Sequence, residues 1–541
     1  MASSPDILQP GHLGLLRTDK WDASLVEPRK ALQTTANHGI DGMPNQIVPH
    51  VERKLGETEV SYFLPSRECG VNDMYLHLGC RAPSYLIERR RVSLVWAIMR
   101  VRHPLLASKV KMANYDDIVF AYDAPQSPNQ AIRDANQALE YRSQSKDELI
   151  DTYLNGPRTL SSERLSFLMV SSNDSSEEVE KNYEFLICAT HFLGDGMALH
   201  QFANDFFSLL GSSIGLVDLN QKLLTEWSER CSNGQVKAPT LPSSMEDRLS
   251  DPSRGFARAA SRVDFEKDQQ KLIGGHMFPR QSRGRVHTIV PSIAIDGENT
   301  KKILANCKRH GVTISSALFA ICNIAWYKTS SSTWELPMMM YSALNMRPNL
   351  IADKRLNDSY WFLAIGYFNV VLPTFFPREG DLDGAFWLRA RSAKSQSTKA
   401  AKSLLNVSRC CQMAKERGRR ARIWAKEDDD KAKGIYTKPP VVPPPTPTTA
   451  SKPKVPSNAL IGLSLLGNLD GMYKHATFPD IKLHTLTTGS RQRSGGMLLF
   501  GYTFVGKLWV SFGYDENGFE EDTVKRFWKN VLDSIDQFLV K

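Results

Sequence analysis

Along this chain, apolar residues recur at helical spacing in some windows and alternate at strand spacing in others. Residues 87–103 run Arg89, Arg90, Arg91, Val92, Leu94, Val95, Ile98, Met99. That order predicts an amphipathic helix closed by Pro104. Residues 165–171 and 183–190 predict two strands, and the Asn/Asp/Ser/Glu-rich stretch 172–181 predicts the hairpin loop between them. After Gly196 the period changes. Met197, Leu199, Phe202, Phe206, Leu209 and Leu210 predict a helix that stops at Gly211. A second series follows residue 283: a strand over 286–293, a helix over 296–310 with Ile303, Leu304 and Cys307 on one face, and an apolar helix over 317–327 preceded by Thr313. Strands over 338–344 and 370–375 and a helix over 383–404 continue it. A strand over 460–466, two strands within 497–514 joined at Val505-Gly506-Lys507, and a helix over 520–540 complete the pattern.

The intervening segments suggest the organisation. The first fifty residues have no sustained period, and order is expected from near Tyr62. Residues 235–283 are rich in Pro, Ser and Lys and read as a crossover linker. Residues 415–433 are densely charged and 436–456 are Pro/Thr-rich; together they read as one surface excursion over 415–456. The expected division is an irregular 1–60, a first α/β lobe over 61–235, a linker over 236–283 and a second lobe over 284–541.

Composition narrows the class. The chain has 541 residues, 41% hydrophobic and 23% charged, which suits a folded globular protein larger than one core. The net charge of +10 is spread along the chain among acidic residues, with no nucleic-acid-binding signature. It fits a phosphate-bearing small molecule or an ordinary solvated surface. The eight cysteines are scattered, with no Cys-x-x-Cys, so neither a disulfide framework nor a zinc site is expected. Cys188 and Cys322 lie in apolar runs and read as small core residues. No metal-ligand spacing and no P-loop occur. Without an apolar signal core at the start or a stretch long enough to span a bilayer, the expected setting is the cytoplasm.

The chemistry centres on Thr190-His191-Phe192-Leu193-Gly194-Asp195-Gly196, at the junction of a predicted strand and helix. An imidazole titrating near neutrality suits a general base that takes a hydroxyl proton during acyl transfer. Gly194 and Gly196 suit a tight turn with close substrate approach. Asp195 suits a scaffold role, paired with a distant cation. The same residues also fit a satisfied core histidine. Gly211-Ser-Ser213-Ile-Gly215 matches the hydrolase elbow pattern, but a helix precedes it where a strand is required, so it reads as a helix cap and loop. His200, on the following helix, reads as a packed or surface imidazole.

The motif resembles the His-x-x-x-Asp-Gly segment of the chloramphenicol-acetyltransferase-like superfamily. That group includes plant BAHD acyltransferases, nonribosomal peptide condensation domains and fungal trichothecene O-acetyltransferases. Ser342-Ala-Leu-Asn345-Met-Arg347-Pro348, Gly366-Tyr-Phe-Asn369 and Leu463-Ser464-Leu-Leu-Gly467-Asn468-Leu-Asp470 resemble its later segments. The spacing looks most like the fungal trichothecene 15-O-acetyltransferase type. The BAHD Asp-Phe-Gly-Trp-Gly motif is absent, and Thr190-His191 stands where condensation domains have two histidines.

The resemblance implies an α/β fold of two chloramphenicol-acetyltransferase-like lobes around a central channel. It implies His191 as base, Asp195 paired with Arg347 of the second lobe, and Gly194, Gly196, Asn345, Asn369 and Ser464 in support. The implied reaction is acyl-CoA-dependent O-acylation, with acetyl-CoA as co-substrate and the hydroxyl of a terpenoid-like secondary metabolite as acceptor. No tightly bound cofactor is implied, and the protein is expected to be a monomer. Ser490, Arg491, Arg493 and Ser494 are candidate contacts for CoA phosphates, but read more simply as a polar turn. Lys415, Arg417, Arg419, Arg420 and Arg422 could serve in the same way, but read more simply as a solvated face. Two other readings stay open: a condensation-type enzyme that acylates an amine or uses a carrier protein, and a non-catalytic scaffold with the same fold.

Overall fold

The computed structural model describes residues 50–541 apart from 173–177, 232–240, 251–254, 331–334, 352–358, 378–380 and 438–455. Most of the Pro-rich part of the expected excursion and half of the expected hairpin loop lie outside the described residues.

Three sheets organise the chain. The first is small and has the order β1 (His50–Lys54), β4 (Asp117–Asp123), β3 (Lys109–Asn114). The second has the order β13 (Lys482–Ser490), β2 (Met74–Pro83), β7 (Glu180–Ala189), β6 (Ser166–Ser171), β5 (Leu139–Arg142). The third has the order β11 (Ile365–Leu372), β10 (Met338–Asn345), β12 (Ala459–Asn468), β14 (Met497–Phe504), β15 (Lys507–Asp515), β8 (Thr288–Ile289), with β9 (Ser292–Ile295) also on β15. Around the first two sheets lie α1 (Glu57–Ser66), α2 (Arg89–Arg102), α3 (Pro128–Gln137), α4 (Lys146–Asn155), α5 (Gly196–Leu210) and α6 (Leu216–Cys231). Two helices, α7 (Met245–Arg248) and α8 (Gly255–Gln270), lead to α9 (Gly297–Arg309), α10 (Ile314–Thr329), α11 (Leu382–Ala401), α12 (Asn406–Ala432) and α13 (Glu521–Ile535). No described helix is long and apolar enough to cross a membrane.

The elements form where local chemistry favours them. Helix α2 stops one residue before His103-Pro104, because proline cannot continue the hydrogen-bond ladder. Thr313 and Ser316 form a capping box that starts α10. The β14–β15 hairpin turns through Val505 and Gly506 at φ +52° and +67°. Asp470 braces that turn by accepting from both turn amides.

Several elements differ from the sequence expectation. Residues 50–60, expected to be irregular, contain β1 and the start of α1. The strand expected over 286–293 is two short strands separated by Pro291, which has no N–H to give to a ladder. Strand β11 starts at Ile365, opposite Asn345, and ends before Pro373. The stretch 236–283 includes α8. Residues 415–432, expected in a surface loop, are helical and belong to α12. Its buried positions Cys411, Ala414, Gly418, Ala421 and Ala425 follow one another at intervals of three and four, a seam like that of a coiled coil. They are small, so charged neighbours dominate the sequence pattern.

The second half lends a strand to the first-half sheet. Strand β13, from the second half, pairs antiparallel with β2 as an edge of the first-half sheet. One core of buried residues runs from α2, α5 and β7 to Phe500, Tyr502 and Phe504 on β14. A second core fills the other face of the large sheet, under α10, α11 and α13. His191 lies at the end of β7, near the inner face of the large sheet.

Candidate active site

The motif begins where β7 ends. Thr190 follows the strand, and the chain turns so that the Leu193 amide bonds the Thr190 carbonyl. Asp195 then caps α5 by accepting from the Ala198 amide at 3.1 Å. Gly194 fits this turn because Trp361 presses on it. A Cβ at 194 would lie 2.8 Å from Trp361 Cε3 and 3.2 Å from the Ala198 Cβ. Trp361 is fully buried and has no room to retreat. Gly194→Ala is therefore expected to lower stability by about 1–3 kcal/mol, the usual range for overpacking. A fall in Tm, together with lower activity because the 194 carbonyl holds His191, checks this.

The His191 ring is half-buried. Its Nδ1 lies 3.2 Å from the Gly194 carbonyl oxygen. A carbonyl only accepts, so Nδ1 carries the proton, and in the neutral ring Nε2 is the lone-pair nitrogen. Among the described residues nothing hydrogen-bonds to Nε2. Burial lowers the imidazole pKa from 6.5, and the charge of Arg417 lowers it a little further; the 191 and 194 carbonyls and Asp195 oppose this. The ring is thus poised as a neutral acceptor.

Asp195 does not bond to His191. Its Oδ1 accepts from Ala198 N and from an Arg347 Nη at 2.9 Å, and its Oδ2 accepts from the Ala364 amide at 2.9 Å. The same Arg347 nitrogen donates to the Phe362 carbonyl, and the other Nη donates to the Tyr360 carbonyl. The Arg347 guanidinium also lies over the Phe362 ring, 4.2 Å from its centroid. This pair therefore joins the end of β10 and the segment 360–364 to the first turn of α5.

The remaining predicted residues are more dispersed. Asn345 is exposed at the end of β10, and its Oδ1 accepts from the Arg347 amide. Asn369 lies opposite Tyr341 in the β10–β11 ladder, two residues after Tyr367. Ser464 is half-buried in β12, two residues after Gly462. Gly196 is the first residue of α5. Arg491, a candidate phosphate contact that also read as part of a polar turn, donates to the carbonyls of Tyr153, Gly156 and Pro157, so its guanidinium brackets a loop. Arg493 is half-buried, and its charge acts on the Tyr341 phenol. His200 is buried against the Tyr473 hydroxyl, and burial pushes its pKa down to about 3. It is a neutral packing residue. Gly211 caps the C-terminus of α5.

Sequence reasoning missed Tyr62, Trp361 and Tyr367 as site residues and read Arg417 as solvated. Tyr62 stacks on the His191 ring, with centroids 4.4 Å apart. No local signal marks these residues, because α1, α12 and β11 meet only in the folded chain. Tyr367 did lie within the recognised Gly366-Tyr-Phe-Asn369 segment.

No protein-family model and no curated protein matches the chain. Solved structures resemble it over nearly its whole length. The trichothecene 15-O-acetyltransferase TRI3 from Fusarium sporotrichioides is 14% identical with a TM-score of 0.68, and the match covers 91% of this chain and 96% of that one. The first condensation domain of the CDA synthetase is 10% identical with a TM-score of 0.56, covering 91% and 97%. The epimerization domain from the third module of tyrocidine synthetase B is 14% identical with a TM-score of 0.53, covering 92% and 100%. At these identities the likeness is one of fold: the chain has the two-lobe α/β fold of the chloramphenicol-acetyltransferase and condensation-domain group.

Proposed function

We propose that the protein is an acyltransferase that moves an acyl group, acetyl in the simplest case, from acyl-CoA to a hydroxyl of a terpenoid-like secondary metabolite. One observation carries this reading: His191 is half-buried, protonated on Nδ1 by its bond to the Gly194 carbonyl, and free on Nε2. Such a ring can accept a proton as a general base, and among the described residues no group of three or more His, Cys, Asp or Glu surrounds it to hold a metal ion. In the proposed reaction Nε2 takes the acceptor's hydroxyl proton as the oxygen attacks the thioester carbonyl. The tetrahedral oxyanion is stabilised by hydrogen-bond donors of the site. The C–S bond then breaks, and the CoA thiolate recovers the proton from the imidazolium. No acyl-enzyme forms. The likeness in fold to an acetyltransferase supports this reading, and the likeness to condensation domains supports a second, with an amine acceptor or a carrier-protein donor.

The test is incubation with acetyl-CoA and hydroxylated metabolites, following free thiol release and the mass of the product. Thiol release dependent on an alcohol supports the proposal. Activity confined to carrier-bound donors or amines favours the second reading, and failure to bind CoA or turn over any acyl donor favours a non-catalytic scaffold. The pH profile provides a separate check. The base must be neutral, and its pKa is depressed by burial. The acid limb of kcat/KM is therefore expected below 6.5, with activity lost as pH falls through it. An acid limb above 6.5 would count against His191.

A further inference from the structure

The face of the His191 imidazole is covered by a ring, and that ring is held by a cation from a distant helix. Tyr62 of α1 stacks on the imidazole with planes 27° apart. Its hydroxyl bonds to that of Tyr367 in β11. The Arg417 guanidinium, from α12, lies over both phenol rings, 5.1 Å from the Tyr62 centroid and 4.5 Å from that of Tyr367. Its partners among the described residues are these two phenols and no carboxylate. The rest of α12 is built to deliver it. Gly418 packs where a Cβ would collide with the Glu57 carboxylate, so glycine lets α12 lie close to α1. Arg422 forks onto Glu57 at 2.6 and 3.1 Å, and Arg67 pairs with Asp429 further along. The two helices are thus locked in register with Arg417 beside Tyr62.

We infer that Arg417 is a positioning residue of the acyl-transfer centre: by clamping Tyr62 against Tyr367 it fixes the stacked His191 ring so that Nε2 points at the acceptor. The inference rests on the reading of His191 as the base. A single Nδ1 bond to a carbonyl leaves the imidazole free to rock about that bond, and the face-on Tyr62 ring removes that freedom. Cation–π contact with a guanidinium and a shared hydroxyl bond hold Tyr62 from the other side. The charge also matters. Among the described residues, the groups facing His191 are Tyr62 from α1, Arg417 from α12 beyond it, Tyr367 from β11 and Asp195 on its own turn; Asp195 is paired with Arg347, and Arg417 has no carboxylate partner there. Removing the Arg417 cation leaves the imidazolium less disfavoured, so the base gains protons at higher pH.

The test uses the full chain with Arg417→Met, Tyr62→Ala and Tyr62→Phe. Arg417→Met and Tyr62→Ala are expected to lower kcat by about 10²-fold, the size of effect that follows a misplacement of about 1 Å, with KM little changed. Tyr62→Phe keeps the stacked ring and is expected to retain most of kcat. In Arg417→Met the His191 ring, followed by NMR of labelled histidine, is expected to titrate at higher pH than in the parent, and the acid limb of kcat/KM moves with it. Arg417→Lys, which keeps the charge without the plane, is expected to lower kcat and leave the titration in place; it serves if the Met variant unfolds. An unmoved titration with parental kcat in Arg417→Met overturns the inference. So does a loss in Tyr62→Phe equal to that in Tyr62→Ala, which would assign the role to the hydroxyl. His191→Ala separates the two readings: turnover surviving there defeats the base assignment, whereas the NMR titration reports the Arg417–His191 coupling without reference to turnover.

Discussion

His191→Ala is expected to lower kcat by about 10²–10⁴-fold, the range for loss of a general base, while leaving the fold and acyl-CoA binding intact. Stability should change little, because among the described residues the ring makes one hydrogen bond, to Gly194, and one stacking contact, with Tyr62. The thioester still binds, so the loss should fall in kcat rather than KM. Thiol release under saturating acetyl-CoA, with Tm as the control, measures both. Partial recovery on adding free imidazole would support the assignment further, since the missing group is then supplied from solution. Unchanged turnover would remove His191 from the chemistry and leave the motif as a structural turn.

How much of this was legible depends on where each signal lies. Strands β6 and β7 were readable because their apolar runs are bounded by polar turns, and α5 because Phe202, Phe206 and Leu210 repeat on one buried face. Strand β13 was not. Its sequence, Lys-Leu-His-Thr-Leu-Thr-Thr-Gly-Ser, is largely polar, and it is a strand because β2 offers it an edge some four hundred residues away in sequence. Helix α12 hid its buried face behind Arg and Lys, since the face is made of Ala, Gly and Cys. The site shows the same contrast. His191, Gly194 and Asp195 are contiguous and form a pattern, and Arg347 was found only through the family resemblance. Tyr62, Arg417 and the pair Trp361 and Tyr367 reach the site from three separate segments, and tertiary packing alone brings them together.

Asp195→Ala is expected to destabilise the protein by about 3–5 kcal/mol, because it strands one partner of a buried ion pair and removes a helix cap. The Asp195 side chain is 3% exposed and that of Arg347 19%. Without the carboxylate, the Ala198 and Ala364 amides lose their acceptor and Arg347 keeps only carbonyls as partners. Arg347→Ala should be costly too, since it leaves a buried carboxylate with two amide donors alone. The double variant Asp195→Ala/Arg347→Ala should then lose clearly less than the sum of the singles, because no unpaired charge is left behind. Denaturant unfolding of the four proteins measures the coupling. The same series tests the division of labour within the motif. Asp195 accepts no hydrogen bond from His191, whose Nδ1 faces the Gly194 carbonyl instead. Activity in the Asp195 variants should therefore fall with the order of the 191–198 turn and the segment 360–364, in step with stability. An Asp195→Asn protein with parental Tm and a kcat as low as that of His191→Ala would instead make the carboxylate part of the proton-transfer chemistry.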